Sequence, residues 1–310
     1  MPVLAGRSAA RLTAASPAGL AVREVGVDDP DALREAVADV GVVINCAGPF
    51  SDTALPLARA AVAAGAHYLD VTAEQPVVQA VYDELDAPAR AAGVAVVPAM
   101  AFYGGLADLL LTAALGGSSA ADEVDVAIAL DHWWPTEGTR VTGERNTATR
   151  QVVRGGRLVP LAAPPATATW SYPQPLGQQA VVELPFSEVL TVHRHLEVGE
   201  LRSWLTTASL DELRDARTPS PTAVDDAGRS AQRFVVDVAV RAGSERHRIT
   251  ATGRDIYAIS APIVVEGAAR LLDARHQGAG ALAPGQAFDA ADLLRALAEV
   301  DGFATERPAT

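Results

Sequence analysis

The chain has 310 residues, 49% hydrophobic and 20% charged, enough for one large domain or two ordinary ones and in the balance of a soluble globular protein. A net charge of -13 excludes a general nucleic-acid binder, which needs a basic face to displace counterions. The single cysteine, Cys46, excludes an internal disulfide and argues against a cysteine-based metal cluster. No apolar run approaches the ~18 residues of a membrane span. With no signal-peptide pattern at its start, the chain is expected in a reducing cytoplasm.

The first third alternates strand and helix signals. Pro2 to Ala5 is a short apolar run stopped by Gly6-Arg7-Ser8. Ala21 to Val27 reads as a strand, and Asp31 to Val40 has helical spacing with Leu33, Ala36 and Val37 on one face. Gly41 to Cys46 is a continuous apolar strand halted by Ala47-Gly48-Pro49, the pattern of a strand buried on both faces of a parallel sheet. Helices are expected over 53–64, stopped by Gly65, over 74–92 and over 106–115, with strands at 67–71 and 93–98 between them. This rhythm predicts an α/β, Rossmann-like doubly wound parallel sheet.

Past Gly116-Gly117-Ser118-Ser119 the pattern changes. Strands lengthen, and 234–240 and 246–251 flank a hairpin turn at Ala242-Gly243-Ser244. A second α+β domain with a mixed or antiparallel sheet is expected over 121–255. The first, over 1–120, is expected to be completed by C-terminal helices within 256–310, with Asp289 as an N-cap. Residues 218–229 read as a loop.

Several residues carry candidate chemistry. A buried strand ending in Cys46-Ala47-Gly48-Pro49 puts small residues at the carboxyl edge of the sheet, where ligands of open α/β sheets bind. An ordinary strand-to-helix turn explains the pattern equally well. Asp70, Thr72 and Glu74 follow one strand and Tyr103 another. A carboxylate or tyrosine hydroxyl there can exchange a proton, although capping and packing explain each residue singly. Asp28 stands at a strand end as an adenine contact or a turn residue. His132 and Arg140 are the candidates for substrate contact in the second domain. Trp133 and Trp134 read as core or interface anchors. His193 and His195 flank Arg194 on an expected strand and so point the same way. With no third ligand they do not make a metal site.

The segments VVINCAGPF (42–50), ALPLARAAVAAGAHYLDVTAE (54–74) and VAVVPAMAFYGGLADLLL (94–111) resemble, in this order, the core of the saccharopine dehydrogenase-like NAD(P)-binding oxidoreductases. GTRVTGERNTATR and DIYAISAPIVVEGAARLL extend the resemblance more weakly across most of the chain. The family includes amino-acid imine reductases and trans-acting enoyl reductases. It therefore implies hydride transfer to or from a small C=N, C=O or activated C=C substrate in an interdomain cleft. Of the residues named above, Asp70, Tyr103 and His132 are the catalytic candidates, and Thr72 is expected at the nicotinamide end. The second domain would supply the other cleft wall and a homodimer face. In dinucleotide folds the second strand ends at the adenosine ribose, where an acid binds the 2′-hydroxyl and an arginine the 2′-phosphate. LAGRSAARL offers Arg7, Ser8 and Arg11 and no acid, so NADP is the expected cofactor.

The glycine-rich fingerprint should precede this arginine-bearing strand by one βα unit. Only Met1 and Pro2 do so. The expectation is a sheet without its first strand and a pyrophosphate without its helix N-terminus. A reading frame opened too late by about 25–35 residues, the size of a βα unit, is the preferred explanation. The alternative is a cofactor-deficient pseudoenzyme acting as a binding subunit.

Overall fold

A computed structural model describes residues 1–16 and 19–307. The first third forms β1 (Val3–Gly6), α1 (Ala9–Ala15), β2 (Ala21–Glu24), α2 (Pro30–Val37), β3 (Val42–Asn45), α3 (Phe50–Ala63), β4 (His67–Asp70), α4 (Gln75–Ala92) and β5 (Ala95–Val97). The local causes are those the pattern implies. Asp29 caps α2 by accepting from Asp31 N and Ala32 N, and Leu33 and Val37 are its buried residues. Gly93 ends α4 at a φ of 71°, a left-handed cap that a glycine adopts without steric cost.

These strands pair in parallel, but as two sheets: β1 with β2, and β3 with β4 and then β5. Among the described residues no strand joins β1 to β3. The reading of β3 as buried on both faces is corrected accordingly. Val43 and Asn45 are buried, whereas Val42 and Ile44 are only half-buried, as befits a strand with one unpaired edge.

After an irregular turn over Phe102–Leu106 come α5 (Ala107–Leu115) and the long β6 (Ala120–Leu130). Then follow α6 (Glu137–Arg145), β7 (Gln151–Arg154), β8 (Arg157–Pro160), β9 (Thr167–Ser171) and β10 (Gln178–Glu183). The chain continues through α7 (Glu188–His195), β11 (Glu197–Thr206), α8 (Thr207–Arg214), β12 (Arg233–Ala242) and β13 (Glu245–Arg254). It closes with α9 (Ser260–Leu272), β14 (Gly280–Ala281), α10 (Pro284–Ala287), α11 (Ala290–Leu297) and β15 (Ala304–Glu306). A third sheet, that of the second unit, runs β15-β13-β12-β6-β11-β10-β9 and is mixed, β6 and β11 being parallel neighbours within antiparallel pairings. The hairpin turn forms between β12 and β13 at Gly243-Ser244. β14 returns to the first unit and pairs with β5, while β15 pairs with β13 in the second.

Side chains of β6 and β12 alternate. Val124, Val126, Ile128, Phe234, Val236 and Val238 enter one continuous core shared with the first unit. The other face carries ion pairs, Arg202 with Asp125 at 2.8 Å and Arg248 with the fully buried Asp237, each carboxylate also taking a tryptophan N–H. No helix among the described residues is long and apolar enough to cross a membrane.

The two units are clasped by the buried Gln75 at the start of α4. Its amide donates to Gln151 O (3.0 Å) and Phe186 O (2.8 Å) and accepts from Gln151 N (2.7 Å). Truncation would leave one buried and two partly buried backbone groups unpaired, the buried one worth about 1–3 kcal/mol and the others less. Gln75→Ala should therefore lower unfolding stability by about 2–4 kcal/mol, read as a reduced midpoint in urea denaturation. A midpoint equal to that of the parent protein would show that the clasp carries no weight.

Candidate active site

The carboxyl ends of β3, β4 and β5 are tied by a buried hydrogen-bond chain. Asn45 Nδ2 donates to Tyr68 Oη (3.1 Å) and to Thr53 Oγ1 (3.2 Å), and Asn45 Oδ1 accepts from Ala47 N (3.0 Å). Tyr68 in turn donates to Asp70 Oδ2 at 3.1 Å. The other Asp70 oxygen accepts from Thr72 N (3.1 Å) and Ala99 N (2.8 Å). Asp70 is fully buried, so desolvation lifts its carboxyl to about 6 against the pull of Ala99 N, Thr72 N and the Tyr68 hydroxyl. These bonds occupy both carboxyl oxygens within the protein. Asp70 is the expected catalytic group whose oxygens this network engages, and burial first, then the Asp70 charge, pushes the Tyr68 hydroxyl well above its ordinary range.

The network presents a turn. Cys46, Ala47 and Gly48 are exposed and Pro49 half-buried, immediately before α3. Burial of the Cys46 sulfur, and then the Asp70 charge, hold its thiol above the usual value even though the residue as a whole is exposed. That disfavours a thiolate nucleophile.

Thr72, expected beside the nicotinamide, is buried, and its hydroxyl accepts from Glu74 N at 3.1 Å. Ser187 of the second unit lies against Thr72 O at 3.4 Å. Glu74 follows, with only 6% of its surface exposed. Above this segment Arg145, at the end of α6, crosses from the second unit to grip Asp52 of α3 through both carboxylate oxygens, at 2.8 and 2.9 Å.

Tyr103 lies in the irregular turn after β5. Gly104 there has a φ of 91°, and a Cβ would sit 2.5 Å from Ser187 Oγ, so only glycine fits. The Tyr103 ring packs 4.2 Å from Phe186 and 5.6 Å from Trp133 between ring centroids. Its hydroxyl has no hydrogen-bond partner among the described residues and is pushed well above its ordinary range, by burial first and then by Tyr257 and Glu188. Arg150 lies over the Phe186 ring at 5.0 Å. Tyr103 thus joins an aromatic wall between the units.

Other expected residues lie apart from this centre. His132 bonds Glu212 at 2.9 Å and stacks on Trp134, which makes it a surface anchor for α8. Arg140 donates to Thr218 O at 2.6 Å. His193 and His195 belong to the end of α7, not to a strand, so two residues apart they point to different sides. His195 pairs with the buried Asp108 at 2.7 Å.

At the other sheet, Arg7 is exposed and its guanidinium has no partner among the described residues. Ser8 caps α1, accepting from Arg11 N at 3.4 Å. Asp28 is exposed, and the cap of α2 is its neighbour Asp29. One residue there escaped the sequence reading. Glu24, at the end of β2, accepts from Ala9 N at 3.2 Å and so brings an acid to the Arg7–Ser8 turn. The strand pairing that carries Glu24 alongside Gly6 is its signal.

Tyr257, just before α9, is a second omission. Its hydroxyl meets Trp133 Nε1 (3.3 Å), Thr136 N (3.2 Å) and Thr139 Oγ1 (3.0 Å). It lines a cavity of about 430 Å³ with Thr136, Thr222, Ser230 and Asp255.

The residues fit a nicotinamide dinucleotide at two places. A free guanidinium stands at the end of β1, and an exposed small-residue turn ends β3. No strand spans the gap between them among the described residues.

Residues 2–97 match the family model of the saccharopine dehydrogenase NADP binding domain. A probable mitochondrial saccharopine dehydrogenase-like oxidoreductase of Arabidopsis thaliana is 32% identical over 80 residues, 23% of this chain and 18% of that protein. The match therefore spans under a fifth of that relative's length. Among solved structures, apo saccharopine dehydrogenase (L-Glu forming) from Saccharomyces cerevisiae superposes with a TM-score of 0.67 at 14% identity, covering 99% of this chain and 94% of that one. That likeness is one of fold. An engineered D-amino acid dehydrogenase bound to NADP+ gives a TM-score of 0.44 at 12% identity, over 97% of this chain and 96% of that one.

The Asp70 geometry has a consequence for stability. A folded-state value near 6, above the ~3.9 of a free aspartate, means that the folded form holds its proton more tightly. This contribution is present below pH ~4, is lost as pH rises toward 6, and amounts to about 3 kcal/mol. Urea titrations across this range should show the decline in the parent protein and its absence in Asp70→Asn. The same slope in both proteins would assign the pH dependence elsewhere.

Proposed function

We propose that this chain, whose residues 2–97 belong to the saccharopine dehydrogenase NADP binding domain family, is an NADP-dependent oxidoreductase acting on a small C=N, C=O or activated C=C substrate. The observation that carries the reading is the exposed Cys46–Ala47–Gly48–Pro49 turn. It lies at the carboxyl end of a parallel strand, just before the helix whose Asp52 is gripped by an arginine from the second unit. A cofactor supplies the hydride; the chain's part is to hold and orient.

In this reading Arg7 takes the 2′-phosphate of the adenosine end, since a guanidinium matches phosphate geometry and its own is unengaged. Ser8 stays at its cap. Glu24 has a charge of the wrong sign for a phosphate, and its bond to Ala9 N keeps it on the α1 side of the turn. The small side chains of Ala47 and Gly48 let a flat ring approach the β3 edge closely. The aromatic wall of Tyr103, Trp133 and Phe186 keeps water from one side of the cleft.

The gap between β1 and β3 supports a second reading, a relative that keeps the fold and binds no dinucleotide. Titration of NADPH against protein fluorescence separates the two. Saturable micromolar binding is the expected result, and no binding would leave the second reading standing. Arg7→Asp should weaken NADPH more than tenfold while changing NADH less than twofold. Equal losses for both would remove Arg7 from the phosphate role.

A further inference from the structure

Among the described residues, Glu74 is a carboxyl near the β3–β4 edge that the fold does not fully engage. It stands at the start of α4, without a side-chain capping bond to that helix, and is buried. One of its oxygens, Oε1, is out of contact with solvent and has no hydrogen-bond partner among the described residues. An orphaned acceptor of this kind is unfavourable unless something bonds it in another state of the protein. Asp70, four residues earlier, is equally buried but has both oxygens occupied.

The surroundings of Glu74 relate it to the cleft. The backbone N–H of Phe50, the residue after Pro49, favours its ionised form, so the carboxyl lies against the end of the candidate cofactor turn. Three charged groups act on it: Arg145, Asp52 and Asp70. Two of these, Arg145 and Asp52, form the ion pair that crosses between the units. Both are about half exposed, at 49% and 46% of their side-chain surface, so the pair is a weak, screened contact that can open. The Glu74 carboxyl is held above its ordinary range by burial, against the pull of Phe50 N and Arg145.

Resting on the oxidoreductase reading, we propose that Glu74 is the proton-exchanging group of the cleft, uncovered when Arg145 releases Asp52, and that it serves a substrate nitrogen or oxygen. In the reducing direction the proton leaves Glu74 for that atom, whose π electron pair to carbon becomes the new N–H or O–H bond. The hydride from the reduced nicotinamide completes the carbon's C–H bond. Glu74 then recovers its proton from water. A buried carboxyl held above its ordinary range suits this task better than an ordinary surface carboxylate.

Carboxyl footprinting with a water-soluble carbodiimide and glycine ethyl ester, read by mass spectrometry, tests this on the intact chain. In the parent protein Glu74 should label slowly. In Arg145→Ala it should label at least tenfold faster, and labelling should persist to higher pH than at the glutamate of a short unstructured peptide. Equal protection in both proteins, or a pH dependence matching that peptide, would overturn the proposal. NADPH titration of the same proteins separates the two levels. Glu74→Gln should keep NADPH affinity within threefold; a larger loss would make Glu74 part of the cofactor's seat and refute the proton role. If the parent protein itself binds no NADPH, the oxidoreductase reading fails and takes the proton role with it. The footprint then still reports whether the ion pair covers Glu74.

Discussion

The buried carboxyl of Asp70 is the point on which the cleft depends. Its oxygens collect a phenol and two backbone N–H groups from two stretches of chain, Tyr68–Thr72 and around Ala99. Its own backbone carbonyl takes Met100 N as well. Asn45 extends the chain of bonds to the β3 turn and to α3. Parallel strands can slide relative to one another where only apolar side chains meet. Here directional bonds between their ends fix where each following loop departs. Ala99 is held at a φ of 58°, a conformation costing roughly 1–3 kcal/mol in a residue with a side chain, and the bond from its N–H to Asp70 offsets that cost.

With those loops fixed, the second unit docks on them through a few polar contacts around an aromatic wall. Gln75 ties α4 to β7 and to the strand end at Phe186, and Ser187 reaches Thr72 O. Both are buried and rigid. Arg145 on Asp52 differs from them in being half exposed. The interface therefore has a firm side near α4 and α7 and a soft side near α3 and α6. A cleft that must admit a ligand is expected to open on the soft side.

Much of the fold was legible in the sequence, because the apolar period and the glycine stops set the elements directly. Gly65, Gly93 and Gly116 fall just past the ends of α3, α4 and α5 with positive φ, and Asp289 caps α11. The site was legible as a location, the edge after Cys46, but not as a set of roles. Asp70 and Glu74 look alike in YLDVTAE; only three-dimensional contacts show that one is fully bonded and the other is not. Arg145 and Asp52 are 93 residues apart, and nothing local in either segment signals the pair. The histidines near 193 were misassigned because VHRH alternates like a strand, whereas the buried Val189, Leu190 and Val192 give a helical face.

In the proposed function a nicotinamide cofactor lies against the turn that ends β3. Cys46 is the chain's single cysteine and stands in that turn, so it reports on the question without engineering. The rate of its alkylation by iodoacetamide, followed by intact mass, is the most direct measurement. Saturating NADPH should slow the reaction severalfold. An unchanged rate with NADPH bound would mean that the cofactor sits elsewhere, and the cleft described here would not be its site.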